Sequence, residues 1–307
     1  MNAFRVLKPG PFSTIQDSGR VGYSHLGLTQ GGPLDFRSFA LANRLVGNNI
    51  DVSALEITLG GVELECLMQT TIALTGAFCP FTLNGKPKPL WQTHLVNPGD
   101  TVSIGFAALG VRAYLAVNGG FGGPKWFGSQ ATVVREKLGR PLAAQQILEA
   151  NSCSWQPQQK LDFRAQPSLR KQATLDFVPG YQWEQLSSDA QQQLLNHTFT
   201  ISKHNDRMGY QLEGASIETG SPTLESEGIA KGAIQITGDG KPIILMRDRQ
   251  TIGGYPKAGS VTSQSLDILA QLTQGASIQF NAISAEQSVD ALRRYQLDIE
   301  TCPILEL

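Results

Sequence analysis

Two arginines and an aspartate directly follow a short apolar run late in the sequence. Residues 243–246 are apolar, and the polar stretch after them contains, in order, Arg247, Asp248, Arg249, Gln250, Gly253, Gly254 and Tyr255. A planar guanidinium binds a carboxylate or phosphate through paired N–H groups. A glycine pair lets backbone N–H groups come close to a ligand. The stretch therefore predicts an anion-binding strand end, with a solvated group of mutually paired charges as the alternative.

Side chains of similar chemistry occur at several other turns. They lie in "STIQDSGRVGY" (13–23), "LANRLVGN" (41–48), the glycine-rich "NGGFGG" (118–123) and "HNDRMGY" (204–210). We expect substrate binding by Gln16, Asp17, Arg20, Asn43, Arg207, Asp248, Arg249 and Gln250. We expect a nucleotide or anion nest at Gly119, Gly120, Gly253, Gly254 and Tyr255. Together they predict one polar pocket for a small anionic or amide ligand, although Asn43 has the alternative of capping a helix and the glycines of only turning the chain.

Standard catalytic and metal-binding motifs are missing from the sequence. It contains no G-x-x-x-x-G-K-[ST] phosphate loop and no G-x-S-x-G nucleophile elbow. Metal-ligand spacing is lacking among His25, His94, His197 and His204. Neither CxxC nor disulfide spacing occurs among Cys66, Cys79, Cys153 and Cys302. The sequence thus supplies many binding groups and no identifiable catalytic residue, and it predicts no metal site.

Composition narrows the class of protein. The chain has 307 residues, 41% of them hydrophobic and 17% charged, with a formal net charge of −1. That balance favours a folded globular protein and argues against nucleic acid as a partner. No run approaches about 18 uninterrupted apolar residues, so no membrane span is expected. The unpaired cysteines and the absence of a signal-like N-terminus predict a cytoplasmic protein.

The binding groups need a scaffold, and the apolar pattern predicts one made mainly of strands. Short β-branched or alternating runs recur between glycine, proline and asparagine turns; the runs lie at 62–66, 70–76, 100–106, 111–117, 197–202, 232–237, 242–246 and 276–280. This rhythm is typical of a sandwich or barrel and not of βαβ units. A few short helices are expected, one capped by Asp35, one opening at Ser188, and one opened by the capping box Ser284–Gln287.

The length of the chain and one polar segment predict two domains. Residues 151–170 are rich in glutamine and proline and interrupt the strand pattern, so we expect domains at 1–160 and 161–307. A weak internal similarity, "RVGY" (20–23) with "RMGY" (207–210), is compatible with two related halves. Glycine-rich strand ends also resemble one another by chance, so duplication stays open.

An ordered set of short motifs resembles the KipA, or allophanate hydrolase subunit 2, family, also described as the C-type subunit of 5-oxoprolinase. The motifs include "VLKPGPFSTIQDSGRVGY", "GGPLD", "ANRLVGN", "LEITLGG", "RAYLAVNGG", "NDRMGYQLEG", "SEGIAKGAIQ" and "DRQTIGGYP". The resemblance covers nearly the whole chain and implies two tandem cyclophilin-like β-barrel domains. It departs at Gln145-Gln146, where the family tends to have Gly-Asp, so we expect a changed turn there.

The resemblance implies an enzyme subunit that works in a complex. It would act with a KipI-like subunit and a LamB-type subunit in opening 5-oxoproline to glutamate, with ATP bound somewhere in the complex. One alternative is the carboxyltransferase half of a urea or amide carboxylase, which would use biotin carried by another chain. A second is a non-catalytic regulator that binds a KipI-like kinase inhibitor.

Overall fold

The protein is mainly β, as predicted. The computed structural model describes residues 1–151, 157–220 and 224–307, so Cys153 lies outside the described residues. In the first half the strands are β1 (Asn2–Pro9), β2 (Phe12–Gln16), β3 (Ala54–Thr58), β4 (Val62–Cys66), β5 (Thr70–Phe78), β6 (Phe81–Leu83), β7 (Lys86–Pro87), β8 (Thr93–Val96), β9 (Thr101–Ile104), β10 (Leu109–Val117), β11 (Ile147–Glu149) and β12 (Gln159–Leu161). In the second half they are β13 (Gln172–Pro179), β14 (Phe199–Asn205), β15 (Gly209–Glu213), β16 (Glu227–Gly228), β17 (Ala233–Ile236), β18 (Pro242–Leu245), β19 (Ile252–Gly253), β20 (Lys257–Val261), β21 (Ser277–Ala282) and β22 (Ile304–Glu306). Each apolar run that predicts a strand overlaps one of these.

Helices are few and short, apart from the last. The described residues form α1 (Phe36–Leu45), α2 (Ser188–Asn196), α3 (Ser263–Ala270) and α4 (Ala285–Thr301). Asp35 caps α1 by accepting from Ser38 N at 3.0 Å, as expected. The capping box of α4 also forms, since Ser284 N donates to Gln287 Oε1 at 2.8 Å. Helix α2 is capped by Ser187, one residue before the predicted opening, and α3 has no counterpart among the sequence predictions.

The chain divides into two compact units. The first comprises 1–20, 31–169 and 299–307, and the second comprises 21–30 and 170–298. These differ from the consecutive ranges 1–160 and 161–307. The end of the chain belongs to the first unit because β22 pairs antiparallel with β12. The short segment 21–30 belongs to the second, where Thr29 Oγ1 donates to Arg249 O at 3.0 Å.

The first unit contains a six-stranded and a five-stranded sheet that share one hydrophobic core. Their strand orders are β11-β1-β4-β9-β6-β7 and β2-β3-β10-β5-β8. Phe4 and Leu64 of the first sheet pack in the same core as Ile57 and Leu115 of the second. Strand β4 alternates buried and half-buried residues, as expected for a strand covered on one face. Strand β10 is buried almost throughout because α1 covers its other face, where Tyr114 packs against Phe39.

The second unit is a closed barrel of seven strands. Their order is β13-β20-β17-β18-β15-β14-β21, and the parallel pairing of β21 with β13 closes the ring. Phe280 makes edge-to-face contacts with Phe177 and Phe199, each at 5.8 Å between ring centroids. The barrel fixes the ends of β17 and β18, where the polar residues of interest begin.

The turn at Gln145-Gln146, where the resemblance predicts a change from Gly-Asp, contains a residue with a positive φ angle. Gln145 has φ +66°, in the left-handed region that favours glycine. Its N–H donates to Val6 O at 2.7 Å, and Gln146 Oε1 accepts from Ala143 N at 3.0 Å. Hydrogen bonds from both glutamines therefore hold a turn that glycine would adopt at lower cost.

Candidate functional site

Arg207 and Asp248 form a buried ion pair at the end of β18. The pairing of the segments continues past the strand, since Met246 N donates to Met208 O and Asp248 N donates to Arg207 O, both at 2.8 Å. Arg207 Nε and Nη2 then donate to the two carboxylate oxygens of Asp248 at 2.8 and 2.9 Å. The residues are 7% and 6% exposed. Two residues that we predicted to hold a substrate therefore bind each other in the fork geometry of a strong pair.

Arg249 lies on the same segment, with its guanidinium held by backbone carbonyls. Nε donates to Ile229 O at 3.2 Å, and Nη1 donates to Met246 O at 3.4 Å. Burial, followed by the charge of Arg247, lowers the pKa of Arg249 to about 10. Arg247 is itself only 7% exposed. Both guanidiniums therefore lie near the end of β18, and neither is fully exposed.

Lys231 belongs to this positive group, although we did not predict it as a site residue. It is half-buried and lies two residues before β17, the neighbour of β18 in the barrel. Burial and then the charge of Arg247 lower the pKa of Lys231 to about 7; Asp267 opposes this shift and Arg249 adds to it. Lys231 makes no hydrogen bond and no ion pair with any described residue. We call Lys231, Arg247 and Arg249 the cationic cluster.

Gln235 of β17 is a second site residue that was not predicted from the sequence. It is 2% exposed, and its Nε2 is buried without a hydrogen-bond partner among the described residues. A Cβ on Gly253 would lie 3.1 Å from that nitrogen and 3.7 Å from Gln250 Nε2. The same Cβ would lie 2.6 Å from Ile229 Cδ1, so Gly253 is packed closely against the chain beside these two carboxamides. An unsatisfied buried amide is costly, which makes it a candidate to bind a ligand.

The remaining predicted residues of this stretch have different roles. Gly254 O accepts from Leu224 N at 2.6 Å, and a Cβ on Gly254 would lie 2.5 Å from Leu224 O, so the glycine is required by packing within the chain. Tyr255 is 39% exposed. Nearby, Glu227 accepts hydrogen bonds from Lys257, Tyr181 and Gln182. Lys257 first, then Tyr181, lowers the pKa of Glu227. A carboxylate with a lowered pKa is a poorer general base at neutral pH.

In the first unit, Gln16, Asp17 and Arg20 hold the loop that contains Trp126–Thr132. Asp17 accepts from Gly19 N at 2.9 Å, Ser129 Oγ at 2.5 Å and Gln130 N at 2.6 Å. Gln16 Nε2 donates to Thr132 O at 3.0 Å. Arg20, 2% exposed, donates to the carbonyls of Trp126 and Ala131. The three side chains therefore stabilise this loop through internal hydrogen bonds.

Asn43, Gly119 and Gly120 are also committed to internal hydrogen bonds. Asn43 lies within α1 and not at its cap, and its Nδ2 donates to Val52 O at 2.7 Å. Gly119 N donates to Asn48 Oδ1 at 2.8 Å, and Gly120 N donates to Val117 O at 2.9 Å. An anion would have to displace both acceptors, so this pair does not fit a phosphate nest as it stands.

The first unit nevertheless has a polar pocket at this point. Its volume is about 410 Å³, and its lining includes Asp17, Asp51, Gly119, Lys125 and Asn151. Asp17 and Gly119 are thus brought to one cavity, whereas Arg207, Asp248, Arg249 and Gln250 belong to the second unit. A single site that combines these residues of the first unit with those of the second stays a prediction.

Within the described residues, no cluster of three or more His, Cys, Asp or Glu is arranged to hold a metal ion. The helices among them include none with the length and apolar character needed to cross a membrane.

Comparison with known proteins gives one consistent family. Residues 26–282 match the model of the carboxyltransferase domain, subdomain A and B. The C-type subunit of the Haemophilus influenzae 5-oxoprolinase is 31% identical over 294 residues, 94% of each chain. The urea amidolyase of Lachancea kluyveri is also 31% identical, but the match covers 97% of this chain and only 18% of that protein. The crystal structure of the Kluyveromyces lactis urea carboxylase superposes with a TM-score of 0.93 at 30% identity, over 99% of this chain and 30% of that one.

Proposed function

Because the chain belongs to the family of the carboxyltransferase domain, subdomain A and B, we propose that it is the C-type subunit of an ATP-dependent 5-oxoprolinase. The observation that carries this proposal is the end-to-end match to the Haemophilus influenzae 5-oxoprolinase subunit, which covers 94% of both chains. The urea enzymes contain long regions that this chain does not span. A KipI-like and a LamB-type subunit would complete the complex in the cytoplasm.

The proposed reaction opens a five-membered lactam. The amide C–N bond breaks, the oxygen of water is added to the carbonyl carbon, and the nitrogen leaves as the amino group of glutamate. ATP would supply the activation that a stable amide carbonyl requires. The N–H groups of Gly119 and Gly120 take no part in the proposed reaction, because both already donate hydrogen bonds within the chain. The substrate carries a carboxylate and an amide. A cationic cluster and two neighbouring carboxamides, those of Gln235 and Gln250, have the complementary chemistry.

A carboxyltransferase half for urea or a related amide is the second candidate. The TM-score of 0.93 against a urea carboxylase favours it. In that role the chain would take a carboxyl group from biotin attached to another chain. The two candidates differ in what they require. The oxoprolinase couples the opening of the lactam to ATP hydrolysis without biotin, whereas the carboxyltransferase needs carboxylated biotin.

Reconstitution separates these candidates. The chain would be purified alone and together with the products of neighbouring genes, and ATP hydrolysis would be measured with 5-oxoproline, urea and allophanate in parallel. We expect no turnover by the chain alone and ATP consumption by the complex only with 5-oxoproline. Turnover that requires urea and a biotinylated partner would favour the carboxyltransferase. Tight partner binding without any turnover would indicate a regulatory protein.

Arg249 gives a residue-level check of the same proposal. Arg249→Ala should remove on the order of 2–4 kcal/mol of binding or transition-state energy in the complete complex if its fork holds the substrate. Arg293→Ala is the matched control, because Arg293 is an exposed arginine of the same unit whose side chain is 75% accessible. A folded Arg249→Ala protein with the activity of the control would exclude Arg249 from the site.

A further inference from the structure

The polar pocket of the first unit is lined by two sequence motifs that have no role in the proposed reaction. Asp17 belongs to "STIQDSGRVGY", and Gly119 and Gly123 belong to "NGGFGG". The cavity has a volume of about 410 Å³, which suits a small molecule. Apart from glycines, its described lining contains only two apolar residues, Val52 and Phe121. The cavity therefore favours a polar ligand.

The walls of this cavity are held together by close packing and by hydrogen bonds. A Cβ on Gly120 would lie 2.2 Å from Val52 Cγ1, and a Cβ on Gly119 would lie 2.7 Å from Asn151 O. The segments thus approach one another as closely as only glycine allows. Gly119 N also donates to Asn48 Oδ1 at 2.8 Å. The chain itself therefore fixes the shape of the cavity, which lowers the cost of binding a ligand there.

The charged residues of the lining differ in their contacts. Both carboxylate oxygens of Asp17 already accept hydrogen bonds from the chain, from Gly19 N, Ser129 Oγ and Gln130 N. Asp51 and Lys125, in contrast, make no hydrogen bond and no ion pair with any described residue. They therefore line the same cavity without binding each other. The cavity thus offers one carboxylate and one ammonium group to a ligand.

Two carboxamide oxygens of the lining are also available. Gln130 Nε2 donates to Gly123 O at 3.3 Å, and Asn151 Nδ2 donates to Gly119 O at 2.9 Å. These contacts use the N–H groups, and neither carboxamide oxygen accepts a hydrogen bond from a described residue. A primary ammonium group has three N–H donors and no acceptor. The Asp51 carboxylate and the two carboxamide oxygens supply three matching acceptors.

We infer that this cavity binds a free amino acid whose side chain is polar and uncharged. The ammonium group of the ligand donates to Asp51 and to the carboxamide oxygens of Gln130 and Asn151, and its carboxylate accepts from Lys125. Lys125 is the one basic residue of the described lining, so a second carboxylate on the ligand would find no cation there. The inference does not rest on the proposed function, since 5-oxoproline has no ammonium group.

Calorimetric titration of the full chain tests the site with L-glutamine and L-serine as probes of different length. Each probe is paired with the same molecule without its amine, which is glutaramate or 3-hydroxypropanoate. Each is also paired with the same molecule without its carboxylate, which is 4-aminobutanamide or ethanolamine. We expect at least one of the amino acids to bind, and either truncation to weaken its binding roughly ten- to a hundredfold. L-Glutamate should bind more weakly than L-glutamine.

Two variants assign each end of the ligand to its residue. Asp51→Asn keeps the size of the side chain and removes its charge, so it should weaken binding of the amino acid roughly ten- to a hundredfold and leave binding of the amine-free molecule unchanged. Lys125→Met should have the corresponding effect, with the carboxylate-free molecule unaffected. Comparing the variant with the truncated ligand isolates the one contact, as in a double-mutant cycle. Lys86→Met, at an exposed lysine of the same unit outside the lining, should change neither.

Failure of both amino acids to bind would overturn the inference, even if the reconstituted complex is an oxoprolinase. Equal binding of an amino acid and its amine-free form would overturn it as well, and so would full affinity in a folded Asp51→Asn protein. L-Glutamate bound as tightly as L-glutamine would contradict the uncharged side chain. The truncated ligands, titrated into the unmodified chain, decide the matter if a variant does not fold.

Discussion

Arg207 and Asp248 are joined by two hydrogen bonds, at 2.8 and 2.9 Å, in a place where neither is more than 7% exposed. Removing one member leaves the other charge buried without its partner. Arg207→Met should therefore lower the free energy of unfolding by about 3–5 kcal/mol, measured by urea denaturation. The double variant Arg207→Met/Asp248→Leu should recover most of that loss. Arg293→Met, at an exposed pair, should cost less than about 1 kcal/mol, and an equal cost at Arg207 would contradict the buried pair.

Lys231 makes stability depend on pH in a direction opposite to that of a paired lysine. The unfolded chain keeps this proton up to about pH 10.5 and the folded protein only up to about 7, so the folded state gains stability as the pH rises between these values. Lys231→Met lacks this dependence. We expect the variant to be more stable than the parent protein at pH 7, with the advantage shrinking steadily toward pH 10. A constant difference across urea titrations at pH 7, 8, 9 and 10 would show that the lysine is not neutralised on folding.

Gln235 offers a test of the cost of its unsatisfied amide. Gln235→Leu removes a buried donor without a partner among the described residues, and it should raise the free energy of unfolding by about 1–2 kcal/mol. Gln279→Leu is the control at an exposed glutamine of the same barrel and should stay within about 0.5 kcal/mol of the parent. Destabilisation by Gln235→Leu, beyond the control, would mean that the amide has a partner in solution.

In the first unit, Tyr114 and Glu56 form a buried hydrogen-bonded pair that the sequence does not reveal. Tyr114 O–H donates to Glu56 Oε2 at 2.8 Å and accepts from Asp35 N at 2.9 Å. Burial, then the charge of Glu56, raises the pKa of Tyr114 well above its usual value, so the phenol stays a donor. Tyr114→Phe should cost about 1–3 kcal/mol of stability by thermal or urea unfolding. A neutral result would indicate that Glu56 is satisfied without the phenol.

The strands were predictable because their apolar runs reflect burial directly. Strands β4 and β10 fall where the alternating and continuous patterns place them. Helix α3 was not predicted from the sequence. Its eight residues follow directly on the β-like run of β20, and the capping residue Thr262 has no acidic residue three positions later to complete a capping box. Residues 21–30 belong to the second unit and residues 299–307 to the first because of tertiary contacts. The local pattern of apolar and polar residues contains no information about those contacts.

The same limit applies to the candidate site: residue types can be predicted from the sequence, whereas the contacts between them cannot. The sequence identifies Arg249 as a guanidinium at a strand end, but it does not reveal that Arg207 and Asp248 neutralise each other. Lys231 and Gln235 were missed because a lone lysine before a strand and a single glutamine within one carry no spacing signal. A usable signal exists only in combination: the lysine precedes the strand that pairs with β18, whose end carries the arginines.

The pairing of β12 with β22 has a consequence for synthesis on the ribosome. Arg44 of α1 donates to the carbonyls of Ile299 and Cys302, so both helix and sheet of the first unit use residues translated after the entire barrel. The first unit is thus completed only after the barrel has been translated, and a nascent chain must leave strand β12 and the flank of α1 uncovered until residues 299–306 have been made.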